Sequence, residues 1–297
     1  FMLKRMRSFL VLVMLFIAVT MSAQVTTATM SGKVTAQDEP IIGATVVAVH
    51  EPSGTRYGTV TNVSGQFNLQ GMRTGGPYKV EISYVGYQTA IYKGINLLLG
   101  ENYVLNVSLK ESSELLDEVV VTASKESNMK SDRAGAIMNA NRDMINSTPT
   151  ISRSISDIMR LSPQGADVGN GFAVGGGNYR QSFVTVDGAA FNNTFGLGGN
   201  LPANGSPISL DALEQVTVAV TPFDVRQSGF TGGAINAVTR SGDNQFRGTA
   251  YMYFNNENLK GSKVDDYELL RSKAQYYTYG ASFGGPIIKD KLFFFVN

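Results

Sequence analysis

The chain has 297 residues, with 25 lysines and arginines against 24 acids and one histidine, so its formal charge is +1. Leaving out Lys4, Arg5 and Arg7, which lie in a segment expected to be removed, the balance is 22 basic against 24 acidic residues, or −2, which excludes the basic footprint of a nucleic-acid binder. There is no cysteine, which excludes disulfides, thiol nucleophiles and thiolate metal sites, and the length suits about two domains.

The chain opens on "LKRMRSFLVLVMLFIAVTMSAQ". A basic start, an apolar run from Phe9 to Val19 and small residues at Ser22 and Ala23 form the layout of a secretory signal peptide. The run is shorter than the ~20 residues of a spanning helix. Residues 1–23 are therefore predicted to direct export and to be cut off after Ala23.

From Met30 to Lys110 short alternating segments are separated by turn residues. "TMSGKVTA", "GATVVAVH", "GTRYGTVTN", "GQFNLQGM", "YKVEISYVGYQTAIY" and "NYVLNVSLK" each predict a half-buried strand, and "PSGT", "VSGQ" and "TGGP" supply the turns. Strands without a helical stretch predict a β-sandwich over residues 24–112. "SGKVTAQDEPIIGATVVAV", "GTVTNVSGQFNLQ" and "GGPYKVEISYVGYQT" resemble the carboxypeptidase-regulatory-like domain, which implies a transthyretin-like fold. The family usually has Thr-Asp before its x-x-Gly-x-Phe turn, whereas here Asn62 takes the place of the acid. No peptidase chemistry follows. A zinc peptidase needs several His or Glu ligands, and His50 stands alone, which predicts a surface histidine at a strand end. Some such sandwiches are classed with carbohydrate-binding folds, but Phe67, Tyr78, Tyr84 and Tyr87 are expected to pack core and edge.

Residues 113–126 contain "ELLDEVVVTAS", a β-prone run followed by polar linker. On its residues alone this run could be a last strand of the sandwich, a first strand of the next domain, or a strand offered to another chain.

Between residues 127 and 242 the texture changes. "SISDIMRLSPQ" carries Ile155, Ile158, Met159 and Leu161 at helical spacing, with Ser152 and Ser154 as candidate caps. A Gly- and Asn-rich stretch surrounds one predicted strand, Gln181 to Val186. "SLDALEQVTVAV" predicts a short helix capped by Ser209 and then a strand. The glycines do not build a phosphate loop, because neither Gly-Lys-Ser/Thr nor G-x-G-x-x-G stands between a strand and a helix. Asp187, Asp211, Glu214 and Asp224 lack the pairing that acid–base catalysis needs and read as turn and cap residues. "DIMRLSPQ", "SFVTVDGAAFNN", "SLDALEQVTV" and "PFDVRQSGFTGGAINAVTRSG", in that order, resemble the plug domain of TonB-dependent outer-membrane transporters of the Oar-like, Bacteroidetes type.

That resemblance carries further implications. Glu118, Val119, Val120, Val121, Thr122 and Ala123 would be the TonB box, pairing as an added strand with the C-terminal domain of TonB in the periplasm. Asn178, Tyr179, Phe191, Asn192, Asn193 and Phe195 would face ligand from the plug loops. Arg180, Arg226 and Arg240 would make charge contacts with the barrel wall. The residues themselves predict a plug held by polar contacts, since 165–208 has few large aliphatics.

After Gly242, "QFRGTAYMYFNNE", "AQYYTYGASFGGPI" and "DKLFFFVN" are aromatic-rich and alternate, near the ~9–11 residues of a tilted membrane strand. Thr249, Tyr251 and Tyr253 share one face, and Ala250, Met252 and Phe254 the other. "GGPIIKDK" predicts a periplasmic turn, and "NENLKGSKVDDYELLRSK" an extracellular loop. Three strands cannot close, and lipid tolerates no open edge, so a longer protein is expected.

The whole reading is mainly β: a transthyretin-like sandwich, an α+β plug over 127–242, and the first strands of a transmembrane β-barrel over 243–297. It implies active transport of a bulky ligand across the outer membrane. It implies no catalytic residue, metal or cofactor, and its partners are TonB, outer-membrane lipid, an unknown transported ligand and, where one is present, a surface lipoprotein. The competing readings are a signal-transducing receptor and a carbohydrate-binding or adhesive surface protein.

Overall fold

The computed structural model describes residues 26–111, 137–150, 153–168, 171–191, 208–220, 232–259, 261, 263–265, 267–268, 273 and 275–297, and the backbone of 119–122. The expected signal peptide, Ser152 and Asp224 lie outside them.

The first unit is a sandwich. Its strands are β1 (Ala28–Ala36), β2 (Glu39–Pro40), β3 (Thr45–His50), β4 (Thr55–Val60), β5 (Gln66–Met72), β6 (Gly75–Ser83), β7 (Ala90–Leu97), β8 (Asn102–Val104), β9 (Val107–Ser108) and β10 (Val119–Thr122). One sheet is built on β1, antiparallel to β2 and β5 and parallel to β8 and β9. The other runs β10-β7-β6-β3-β4. Alternation explains the core. Met30, Val34, Phe67, Leu69 and Met72 point inward from the first sheet, and Val46, Ala48, Tyr78, Val80, Ile82, Ile95 and Leu97 from the second. Each Val, Leu, Ile, Phe or Met among them contributes roughly 1.5–3 kcal/mol by leaving water. The Tyr78 hydroxyl stays satisfied inside by donating to the Arg73 carbonyl at 2.7 Å.

Two expected strands are broken, each for a local reason. The run from Tyr78 to Tyr92 is β6 and β7 joined by a tight turn, with Gly86 at φ +85 and Tyr87 N–H donating to Tyr84 O at 3.1 Å. The run from Asn102 to Lys110 follows β1 throughout, but Lys33 N–H donates to the Asn106 side chain at 3.0 Å, which separates β8 from β9. At Gly32 the backbone of Leu105 lies where a Cβ would stand, so no larger residue fits.

Asn62 replaces the family's acid without losing the turn. Its Oδ1 accepts from Ser64 N–H and Gln66 N–H, both at 2.9 Å. Asn62→Ala is expected to lower sandwich stability by about 1 kcal/mol, and Asn62→Asp by much less. Thermal melts of the two variants check this.

The middle unit contains β11 (Ile137–Ala140), α1 (Arg142–Ser147), α2 (Ile155–Met159), β12 (Gly165–Asp167), β13 (Phe172–Val174), β14 (Phe183–Val186), β15 (Ala189–Ala190), β16 (Leu213–Ala219) and β17 (Ala234–Thr239). Its main sheet runs β11-β16-β17-β14-β15, and β12 and β13 form a separate hairpin. Ile155, Ile158 and Met159 of α2 are buried with Leu210, Leu213, Val216, Val218 and Ile235. Ser154 opens α2, and its N–H donates to the Asp157 carboxylate at 3.3 Å. Leu161 is 37% exposed and stays out of the core. The expected strand from Gln181 starts two residues later, because Tyr179–Gln181 form a 3-10 turn. The sequence did not signal β11 or α1.

The last unit has β18 (Arg247–Asn256), the small hairpin β19 (Lys263–Val264) and β20 (Tyr267–Glu268), β21 (Gln275–Ile288) and β22 (Leu292–Val296). β18 and β22 flank β21, antiparallel on both sides. The glycines of "GGPIIKDK" belong to β21, with Gly284 opposite Phe295 and Gly285 opposite Phe294; only Lys289–Lys291 turn, so the expected turn is shorter than the sequence suggested.

Candidate functional site

Three places bear on function. The first is the Val119–Thr122 run. Its backbone pairs in parallel with Ala90–Lys93 of β7, at the edge of the sandwich's second sheet. Of the three readings its residues left open, the backbone takes that of a last strand of the sandwich. Glu118 and Ala123 lie outside the described residues.

The second place is the face of the middle unit against β18. Arg153 donates to Asp211 through Nε at 3.1 Å and Nη2 at 2.7 Å. Its Nη1 donates to the Tyr253 hydroxyl at 3.0 Å. The guanidinium lies 4.9 Å from the Tyr251 ring centroid and 5.3 Å from that of Tyr253. Ser209 Oγ is 2.9 Å from the Tyr251 hydroxyl. Arg153 itself sits at φ +49, a left-handed position uncommon for a side-chain-bearing residue. The 3-10 turn Leu210–Ala212 that holds Asp211 is gripped again by Arg142, whose Nη1 donates to the carbonyls of Leu210 at 3.1 Å and Leu213 at 2.8 Å.

These contacts orient the strands. Opposed residues of antiparallel strands share a face. Tyr251 and Tyr253 stand opposite Gly280 and Thr278, and Thr249 opposite Ser282, their hydroxyls 2.6 Å apart. This is the face that meets the middle unit. The Tyr251 ring lies over Gly280 where a Cβ would be. The other face carries Met252, Phe254, Tyr277 and Tyr279, all exposed. An apolar outer face and a polar inner face are the pattern of a membrane barrel strand.

The third place is the sandwich's seam with both other units. Leu99 N–H donates to Gln215 Oε1 at 3.1 Å, in a buried contact. The Glu214 carboxylate lies against Gly75, where a Cβ would come within 3.1 Å of Oε1. Burial raises the pKa of Glu214, opposed by the charges of Arg240, Arg142 and Arg73. Arg142 is lowered by its own burial and then by Arg240. On the barrel side, Asn244 N–H donates to Pro52 O at 3.0 Å and Asn244 Nδ2 to Asp290 at 2.8 Å. Asp290 also crowds Gly54.

Beside that seam His50 is buried at 4% exposure, not on the surface as its strand-end position suggested. Its Nδ1 lies 2.7 Å from Ser53 Oγ, and its ring 4.9 Å from that of Tyr78. Burial, and then the charge of Arg73, lowers its pKa to about 4, with Asp243 opposing. The folded pKa lies below the unfolded value near 6.5, so the unfolded chain binds more protons between them. Stability from neutral His50 is therefore complete above pH 6.5 and falls as pH drops toward about 4. A pH series of melts should show this slope, and His50→Gln should flatten it.

The remaining expected residues are placed as follows. Asn178 caps the 3-10 turn, accepting from Arg180 N–H at 3.0 Å. Half-buried Tyr179 and exposed Arg180 engage each other, with Nε donating to the hydroxyl at 3.1 Å. Phe191 is half-buried against the middle core. Asn192, Asn193, Phe195 and Arg226 lie outside the described residues. Arg240 reaches the barrel through a ring, with its guanidinium 5.1 Å from the Phe295 centroid. Asp187 serves its turn, accepting from Thr239 N–H at 2.8 Å and Oγ1 at 2.6 Å. Asp211 and Glu214 are more than turn residues, since they meet Arg153 and the sandwich. Arg153, Gln215, Tyr251 and Tyr253 are the contact residues that sequence reasoning missed. Their partners lie far away along the chain, and no local motif marks them. Among the described residues no His, Cys, Asp or Glu cluster could hold a metal.

Residues 29–110 match the carboxypeptidase regulatory-like domain, and residues 238–297 match the outer membrane beta barrel domain. Fold and matches together define a mainly β protein with an N-terminal sandwich and outer-membrane barrel strands. The chain is similar to the TonB-dependent transporter Oar of Myxococcus xanthus, with 31% identity over 153 residues, 49% of this chain and 14% of that protein. It is also similar to the TonB-dependent receptor SusC of Bacteroides thetaiotaomicron, with 29% identity over 269 residues, 86% of this chain and 24% of that protein. Among solved structures, the siderophore receptor PirA from Acinetobacter baumannii aligns with 52% of this chain and 23% of its own, at TM-score 0.41 and 20% identity. The chain thus spans less than a quarter of the length of each of these proteins.

Proposed function

We propose that this chain is the periplasmic and plug part of a TonB-coupled outer-membrane transporter. In this reading the middle unit is the plug. It blocks the lumen of a barrel that begins with β18, β21 and β22, and the sandwich lies on the periplasmic side. Residues 118–123 are the TonB box, and residues 1–23 the export signal. The transported ligand is bulky and binds from outside, where Asn178, Tyr179 and the loops near Phe191 would face it. The observation that carries the reading is the polar fit of Arg153, Asp211 and Ser209 on the Tyr251–Tyr253 face of β18. A domain seated on the polar face of a membrane strand, opposite its apolar face, stands inside the barrel. The naming of Oar and SusC as TonB-dependent supports the coupling.

The direct test is binding of the purified C-terminal domain of TonB to the detergent-solubilised full-length protein. Saturable binding that is competed by a peptide of residues 113–126 is the expected result. No binding at high micromolar concentration would remove the coupling from the proposal.

A further inference from the structure

We propose that the N-terminal sandwich relays a pull on Val119–Thr122 to the middle unit. The inference rests on the reading of residues 118–123 as the segment that TonB holds, and it assigns the sandwich a mechanical task.

One strand carries the argument. β7 pairs with Val119–Thr122 through its first four residues, Ala90–Lys93. Two residues past its other end, Leu99 N–H donates to Gln215 Oε1 at 3.1 Å in a buried contact. Leu97, the last residue of β7, is paired with Gly75, and Gly75 touches Glu214. Both contacts fall on β16, the strand beside β17 in the middle unit's main sheet. The far end of β7 lies about 23 Å from its start, at ~3.3 Å per residue, and β7 is held along that length by β6. The sandwich also meets the barrel side, where Asn244 N–H donates to Pro52 O, so it contacts both the barrel strands and the middle unit.

Two routes lead from the box to the middle unit. The covalent one is the 14 residues between Thr122 and Ile137, whose fully extended length is at most ~50 Å. The other runs through paired β7 and the Leu99–Gln215 seam, and contains no slack. A pull on the box reaches Gln215 first, as long as β10 stays on β7.

Force measurement on the full-length protein in a supported bilayer, with the C-terminal domain of TonB on the probe, separates the routes. These 297 residues contain no cysteine, so Lys93→Cys with Thr122→Cys adds one pair at registered positions. Neighbouring strands stand ~4.8 Å apart, within disulfide reach. The expected result has three parts. Wild type loads the plug without initial slack. Oxidising the pair leaves the trace unchanged. Gln215→Met, which removes the acceptor at similar volume, brings in up to ~50 Å of slack before the plug extends. The inference is overturned if wild type already shows that slack and oxidation removes it, if the pair does not oxidise, or if Gln215→Met leaves the trace as it was. If TonB attaches to none of the proteins while the plug still extends under a directly tethered pull, the box reading fails and takes this inference with it.

Discussion

Val120→Pro is expected to cut binding of the TonB C-terminal domain by at least tenfold, about 1.4 kcal/mol, while leaving the outer face of the protein unchanged. Strand addition is built from backbone N–H and C=O groups. Proline removes one of those donors and fixes φ near −65°. Val120 is registered with Ile91, so the substitution also weakens the pairing of Val119–Thr122 on β7. Val120→Thr keeps the backbone and the β-propensity and should bind within about twofold of wild type. Binding is measured beside the thermal melt of the full-length protein. If Val120→Pro binds TonB normally, the box lies elsewhere. If it unfolds the sandwich as well, the loss of binding reports loss of the fold and not of the added strand.

Arg153→Ala should loosen the middle unit from the barrel. The Arg153 side chain is 21% exposed and that of Asp211 8%, so the pair is largely out of water. Removing one partner of such a pair leaves an uncompensated carboxylate, at a cost of about 3–5 kcal/mol. The contacts to Tyr251 and Tyr253 vanish with it. Hydrogen exchange at Leu210–Ala212 should speed up, and cells should admit more of a glycopeptide antibiotic too large for ordinary pores. Arg153→Lys keeps the charge but loses the two-pronged fit to the carboxylate, so it should fall between. Unchanged exchange in Arg153→Ala would show that Arg142, Ser209 and Arg240 hold the turn without it.

The sandwich and the barrel strands were legible because burial imposes a two-residue period. Val46 and Ala48, or Met252 and Phe254, declare a face within a few positions. Breaks in that period were harder to read. β6 and β7 look continuous until Gly86 takes a positive φ, and Asn106 interrupts a strand by offering its side chain in place of backbone. The site was mostly hidden, because its contacts are distant in sequence. Arg153 meets Asp211 58 residues on and Tyr253 100 residues on, and Leu99 meets Gln215 across 116. No spacing rule reaches that far. Val119–Thr122 shows both sides. Its strand character was plain, but its partner, a parallel edge beginning at Ala90, carries no matching signal.

That parallel edge bears on how such domains could be exchanged between proteins. The sandwich's second sheet takes its last strand from beyond the end of the matched domain at residue 110. A cassette cut at that boundary would arrive in a new host with β7 bare. A bare edge recruits whatever strand is nearby, including that of a second copy. A graft that carries the chain through Thr122 brings its own cover, so the inheritable module is longer than the domain that sequence matching outlines.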